Sequence, residues 1–158
     1  MGYYLQALIG KSDSLKNEPI NFPSEHRVEL AQGLKMILVT EELCEEIADK
    51  FPSSKAAPYE GFSVLTESLI AWAKHVSKLT PVAYIEAEYF GGAGGQSAIV
   101  WENTEVKLGP VSAEIGPINQ ALRFLGAKVL LAHDEFDSVG LNRGRDSKDW
   151  IEISKNLK

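Results

Sequence analysis

The chain has one cysteine, two methionines, three histidines and no long apolar run in its 158 residues, and each shortage removes a class of protein. A single thiol, Cys44, cannot close an intramolecular disulfide or build a cysteine-rich zinc site, which points to a reducing compartment, the cytoplasm. No apolar stretch approaches the roughly 20 residues that span a bilayer. The first ten residues carry neither the basic segment nor the small-residue cleavage site of an export signal, and Gln6 stands where an N-myristoylation signal needs a hydroxyl. Basic residues are short as well: sixteen Lys and Arg against twenty-two Asp and Glu leave a formal charge of −6. That sign opposes phosphate backbones and anionic lipid and favours cationic partners, so neither nucleic acid nor membrane is the expected partner; the same mild acidity also serves solubility. The sequence has no Gly-x-Ser-x-Gly elbow, no two-histidine helix motif and no twelve-residue calcium loop. No catalytic residue, cofactor or metal ligand is assigned from it.

What is present is the composition of an ordinary globular protein, 44% hydrophobic and 24% charged, at a length suited to one domain over residues 1–158. Residues 82–102 organise the rest. They read as two strands joined by a glycine-rich turn, with Ala83, Ile85, Ala87 and Tyr89 on one face of the first strand and Tyr84, Glu86, Glu88 and Phe90 on the other.

Around that hairpin the pattern predicts strands over residues 3–9, 26–30 and 34–39, with a surface loop over residues 11–25 holding Pro19 and Pro23. Thr40 is placed to cap a helix running to Phe51, which Pro52 ends. A longer helix is read from Phe62, Leu65, Leu69, Trp72, Val76 and Leu79, with Ser63 as its cap. Asn103 and Thr104 make a tight turn into a strand over residues 105–108. Pro117 opens a helix that Gly126 stops, a last strand is read over residues 127–131, and Trp150 anchors an amphipathic C-terminal segment. The fold expected is α+β: an antiparallel or mixed sheet of about five strands with the helices packed on one face.

Three groupings invite chemistry, and each has a structural alternative. Gly91, Gly92, Gly94 and Gly95 could expose amides to an anion, but the residues after them alternate like a strand and no lysine follows, so a hairpin or bulge explains them more cheaply. Glu86 and Glu88 with Tyr84 make an acidic, aromatic-flanked strand face suited to a basic partner, or else simply the wet side of a sheet. His133, Asp134, Glu135 and Asp137 form a second acidic segment, with Asp134 equally able to cap a short helix that turns Phe136 inward. Cys44 lies among glutamates, which raises its pKa and reads as a core thiol; His75 reads as a solvated flank position.

The blocks at residues 3–9, 86–92, 96–101, 118–122 and 134–141 resemble a family of small, uncharacterised bacterial proteins. In size and acidity the chain is similar to immunity proteins of toxin–immunity systems, including contact-dependent growth inhibition. The resemblance implies a non-enzymatic protein-binding domain that occludes the active site of a basic, nuclease-like toxin, and carries over no binding residue; the acidic and aromatic pattern of the chain itself makes Tyr84, Glu86 and Glu88 the first candidate surface and Asp134, Glu135 and Asp137 the second. Two alternatives stand beside it. One is a small hydrolase or transferase built on Glu86, Glu88, His133 and Asp134; the other is a homodimer pairing through an exposed sheet edge.

Overall fold

In the computed structural model, residues 2–18, 20–53, 55, 59–91, 93–129 and 134–155 are described. One six-stranded antiparallel sheet runs through them, in the order β2-β3-β1-β4-β5-β6. Its strands are β1 (Tyr3–Lys11), β2 (Arg27–Glu29), β3 (Leu34–Leu38), β4 (Val82–Phe90), β5 (Ala93–Glu102) and β6 (Glu105–Ala113). The helices are α1 (Ser12–Leu15), α2 (Glu41–Lys50), α3 (Glu67–Val76), α4 (Pro117–Phe124), α5 (Glu135–Val139) and α6 (Ser147–Lys155), with one 3₁₀ turn at Leu141–Arg143. The α+β class and the single sheet agree with the sequence reading.

The placement of the helices does not. They cover both faces of the sheet rather than one. Leu8, Val82, Tyr84, Ile99 and Trp101 pack under α2 and α3, against Leu43, Ile47, Leu69, Trp72 and Val76. Leu5, Ala7, Ile85, Ala87, Ala98 and Val100 face the other way, against Ile118, Ala121 and Leu122 of α4, Val139 of α5 and Trp150 of α6. The first six residues of β4 are therefore buried on alternate sides without a break, as in a central strand between two layers. Each large apolar side chain so enclosed contributes about 1.5–3 kcal/mol relative to exposure. Trp72, Trp101 and Trp150, all fully buried, place one indole or more in each layer.

Several local predictions hold in detail. Thr40 caps α2, its Oγ1 accepting the Leu43 N–H at 3.2 Å. Pro117 opens α4, and Gly126, at φ 99°, follows its end. Others shift. The helix read with Ser63 as its cap begins three residues later, capped by Thr66 through the Leu69 N–H at 3.2 Å. Strand β6 continues past Leu108 through Gly109 and Pro110 to Ala113, its pairing with β5 broken by register shifts, so the edge strand outruns the span read over residues 105–108. Residues 12–15 coil into α1 inside the loop read over 11–25. Residues 127–129 are not a strand, and residues 130–133, including His133, lie outside the described residues.

Candidate functional site

Cross-strand register assembles the site. Gln6 of β1 lies opposite Glu86 of β4, Glu86 opposite Ser97 of β5, and Ser97 opposite Ser112 of β6. Directly opposed residues share a face in an antiparallel sheet. The result is a row of four polar side chains across four strands, on the α2/α3 side, immediately beyond the apolar row that holds Leu8, Tyr84 and Ile99.

Glu86 is the centre of the row. It is only 6% exposed, and a carboxylate removed from water costs several kcal/mol unless donors surround it. Four do. The backbone N–H of Ser63 donates to Oε1 at 2.6 Å, and those of Val64 and Leu65 donate to Oε2, each at 2.9 Å. The Tyr84 hydroxyl donates to Oε2 at 2.8 Å. Burial first, and the neighbouring Glu86 charge second, hold the Tyr84 phenol well above its ordinary range, so it stays a donor. Three successive amides that would otherwise open a helix at Ser63 are turned onto this carboxylate instead, which is why α3 starts late.

The same loop is held a second time. Ser97 Oγ donates to the Gly61 carbonyl and lies 2.7 Å from Ser112 Oγ. Gly61 has φ 87°, and a side chain there would fall on Ser112, so glycine is what lets the loop lie this close to the sheet.

Past the polar row the sheet face opens. A cleft of about 640 Å³ is lined by Gln6, Ser63, Glu86, Glu88, Phe90, Gly94, Gly95, Ser97, Ser112 and Glu114 among others, with no lysine or arginine among the described residues of its wall; that volume lies within the usual range of about 300–1,000 Å³ for ligand sites. Glu88 and Glu114 are exposed, and Phe90 at 85% is the most exposed large apolar side chain described. Gly94 and Gly95 leave the floor bare. Comparison with protein-family models, with curated proteins and with solved structures finds no match for this chain. The site is therefore interpreted from its own geometry.

That geometry corrects the first candidate surface. Tyr84 is 1% exposed and Glu86 is internal, so neither is presented to a partner, and only Glu88 of the three faces solvent. The alternation placed all three on one face correctly; what covers that face is a loop more than twenty residues away in sequence. The second candidate segment is also committed to the fold. Asp134 caps α5, accepting the Asp137 N–H at 2.9 Å on Oδ1 and an Asn119 Nδ2 donor at 3.1 Å on Oδ2. Glu135 is buried and meets Arg123 Nε at 2.9 Å; this hydrogen bond holds its carboxyl below the ordinary range against the opposing effect of burial. Phe136 turns inward, edge-on to Tyr3 at 5.4 Å, and Asp137 is half-buried. Asp134 and Glu135 belong to the α4/α5 layer, on the opposite side of the sheet from Glu86. The constellation of Glu86, Glu88, His133 and Asp134 is thus split between the two faces, with His133 outside the described residues.

The glycine segment joins strand to strand, Gly91 taking φ 63° at the hairpin, and no helix begins there. Cys44 is half-buried, and burial, then Glu41, Glu45 and Glu86, raise its thiol pKa. His75 is not a free flank residue, since its Nε2 lies 3.1 Å from Oε1 of the buried Glu18. The residues that sequence reading missed are Gln6, Ser97, Ser112 and Glu114. The first two carried a signal: a polar side chain at an inward position of an otherwise apolar strand.

Proposed function

We propose that this chain is a non-enzymatic protein-binding domain and, in its sharpest form, an immunity protein that acts in the bacterial cytoplasm by covering the active site of a basic toxin. The observation that carries the reading is the open end of the sheet. Glu88 and Glu114 stand exposed there beside Phe90 and the part-exposed Tyr4, with no lysine or arginine among the described residues of the cleft wall. Acidic groups around exposed aromatic rings suit a cationic protein surface: the charge speeds encounter, and the rings supply contact area once water is excluded. The overall charge of −6 has the same sign. Glu86 contributes negative charge from beneath this surface rather than a contact on it.

The test is a protection assay. The chain is co-expressed with the product of the adjacent gene, and survival is compared for the wild type and a Glu88→Lys/Glu114→Lys variant. Protection by the wild type and its loss in a variant that melts normally support the reading. Equal survival with and without the chain overturns the immunity function; full protection by the folded double variant removes this surface from it.

A further inference from the structure

Within the binding function proposed above, we infer that the cleft at the open end of the sheet is a receptor for a single guanidinium group, an arginine side chain inserted by the protein partner. Gln6 is the residue that points to a ligand. It is 7% exposed and lines the cleft, yet its carboxamide makes no hydrogen bond among the described residues, while its backbone carbonyl accepts the Val39 N–H at 2.9 Å. The amide thus keeps its hydrogen-bonding capacity for whatever enters from solvent, and an occupant that reproduces the hydrogen bonds of the water it displaces is held there without loss.

The rest of the wall decides what the occupant is. Glu86, Glu88 and Glu114 give the cleft one sign of charge, and Arg145 lines only the adjoining depression, which shares Glu88 and Phe90 with it. An anion is therefore repelled. A metal ion is poorly served, because the Glu86 oxygens already accept four donors, and among the described residues no three His, Cys, Asp or Glu side chains converge to hold one. An organic cation bearing several donors fits better. Guanidinium presents a planar fork of five N–H groups, matched to the Gln6 amide oxygen and the Glu88 carboxylate on the adjoining strands β1 and β4, whereas an ammonium offers a compact, strongly hydrated charge. Phe90 at the rim supplies an aromatic face on which the plane can rest. Gly95, opposite Glu88, puts no side chain over the floor on this face.

The experiment uses the full chain, isotope-labelled, titrated with acetyl-Gly-Arg-Gly-amide and with its citrulline and lysine twins while backbone and side-chain amide resonances are followed. The arginine peptide is expected to shift the Gln6 carboxamide and the Ser63, Gly94 and Gly95 amides. The citrulline peptide, which keeps the shape and loses the charge, should bind about tenfold more weakly or worse, the loss of one charge-assisted hydrogen bond. A Gln6→Met variant, isosteric and apolar, should weaken the arginine peptide, and so should Glu88→Gln, whose exposed position leaves folding intact. Shifts that map elsewhere, an equal response to citrulline or lysine, or indifference to both variants each overturn the guanidinium site. The protection assay separates this result from the parent reading. A silent peptide with protection still sensitive to Glu88 and Glu114 removes only the arginine pocket, and a specific peptide response without protection removes only the immunity function.

Discussion

Tyr84 and Glu86 project from the same face of one strand and meet, the phenol donating to the carboxylate at 2.8 Å, both side chains almost wholly inside the protein. The pair joins the apolar row of the sheet to the polar one. It also fixes the loop over residues 61–65, because Glu86 is the acceptor for three of that loop's amides.

Replacing Glu86 with Gln removes one acceptor oxygen and adds a donor that faces other donors. We expect a loss of about 2–4 kcal/mol in denaturant unfolding, the range for breaking a buried charged network. Amide exchange at Ser63, Val64 and Leu65 should quicken beyond the global change. A variant within about 0.5 kcal/mol of wild type, the scatter of ordinary surface substitutions, would contradict the caged-carboxylate account.

Gly94 sits at φ 150°, and a Cβ there would fall on the Glu88 carbonyl oxygen and within 2.7 Å of the Tyr89 Cα. Gly94→Ala should therefore cost about 2–4 kcal/mol, the sum of backbone strain and displaced pairing. Gly91→Ala, at φ 63° with open space around its Cβ position, should cost only about 1 kcal/mol. Comparing the two melting curves separates crowding from conformation.

Thr104 adopts φ 71° in the two-residue turn between β5 and β6, an unfavourable position for a β-branched side chain, while its N–H donates to Ser77 Oγ at 2.8 Å. Thr104→Gly keeps that hydrogen bond and removes the conflict. A gain of about 1 kcal/mol is expected, as for glycine at the second position of such turns. A loss of stability would show that the threonine side chain makes contacts of its own.

Glu135 and Arg123 set an acid-sensitive link between α5 and α4. Because the folded carboxyl titrates below its ordinary value, the link contributes fully above the unfolded carboxylate pKa of about 4.3 and is lost as pH falls through the lower folded value. Arg123→Ala should lower stability at neutral pH and shrink the difference from wild type as the solution is acidified below that range. A difference that stays constant from pH 7 to strongly acid conditions, to about pH 2, would mean that the guanidinium contributes through packing alone.

Local chemistry made much of the scaffold readable. The Thr40 cap, Pro117 at the start of α4, the Asn103–Thr104 turn and the period-two alternation of β4 all depend on a few neighbouring residues, and each is found as expected. The delayed start of α3 was not readable, because Ser63 has the composition of a cap and only the distant Glu86 diverts its amide. The path of β6 through Gly109 and Pro110 was hidden for a similar reason: pairing with β5 outweighs the local turn signal.

The sequence by itself determined the α+β class, the central hairpin, the acidic balance and the common face of Tyr84, Glu86 and Glu88, since charge, capping and alternation are carried by adjacent side chains. Tertiary structure alone decided that helices cover both faces, that Glu86 is enclosed while Glu88 is open, and that positions 6, 86, 97 and 112 form one row. Burial is a property of whatever packs on a residue. Here that is a loop at residues 61–65, brought to the sheet by hydrogen bonds spanning twenty-one to thirty-six positions, a distance no local pattern encodes.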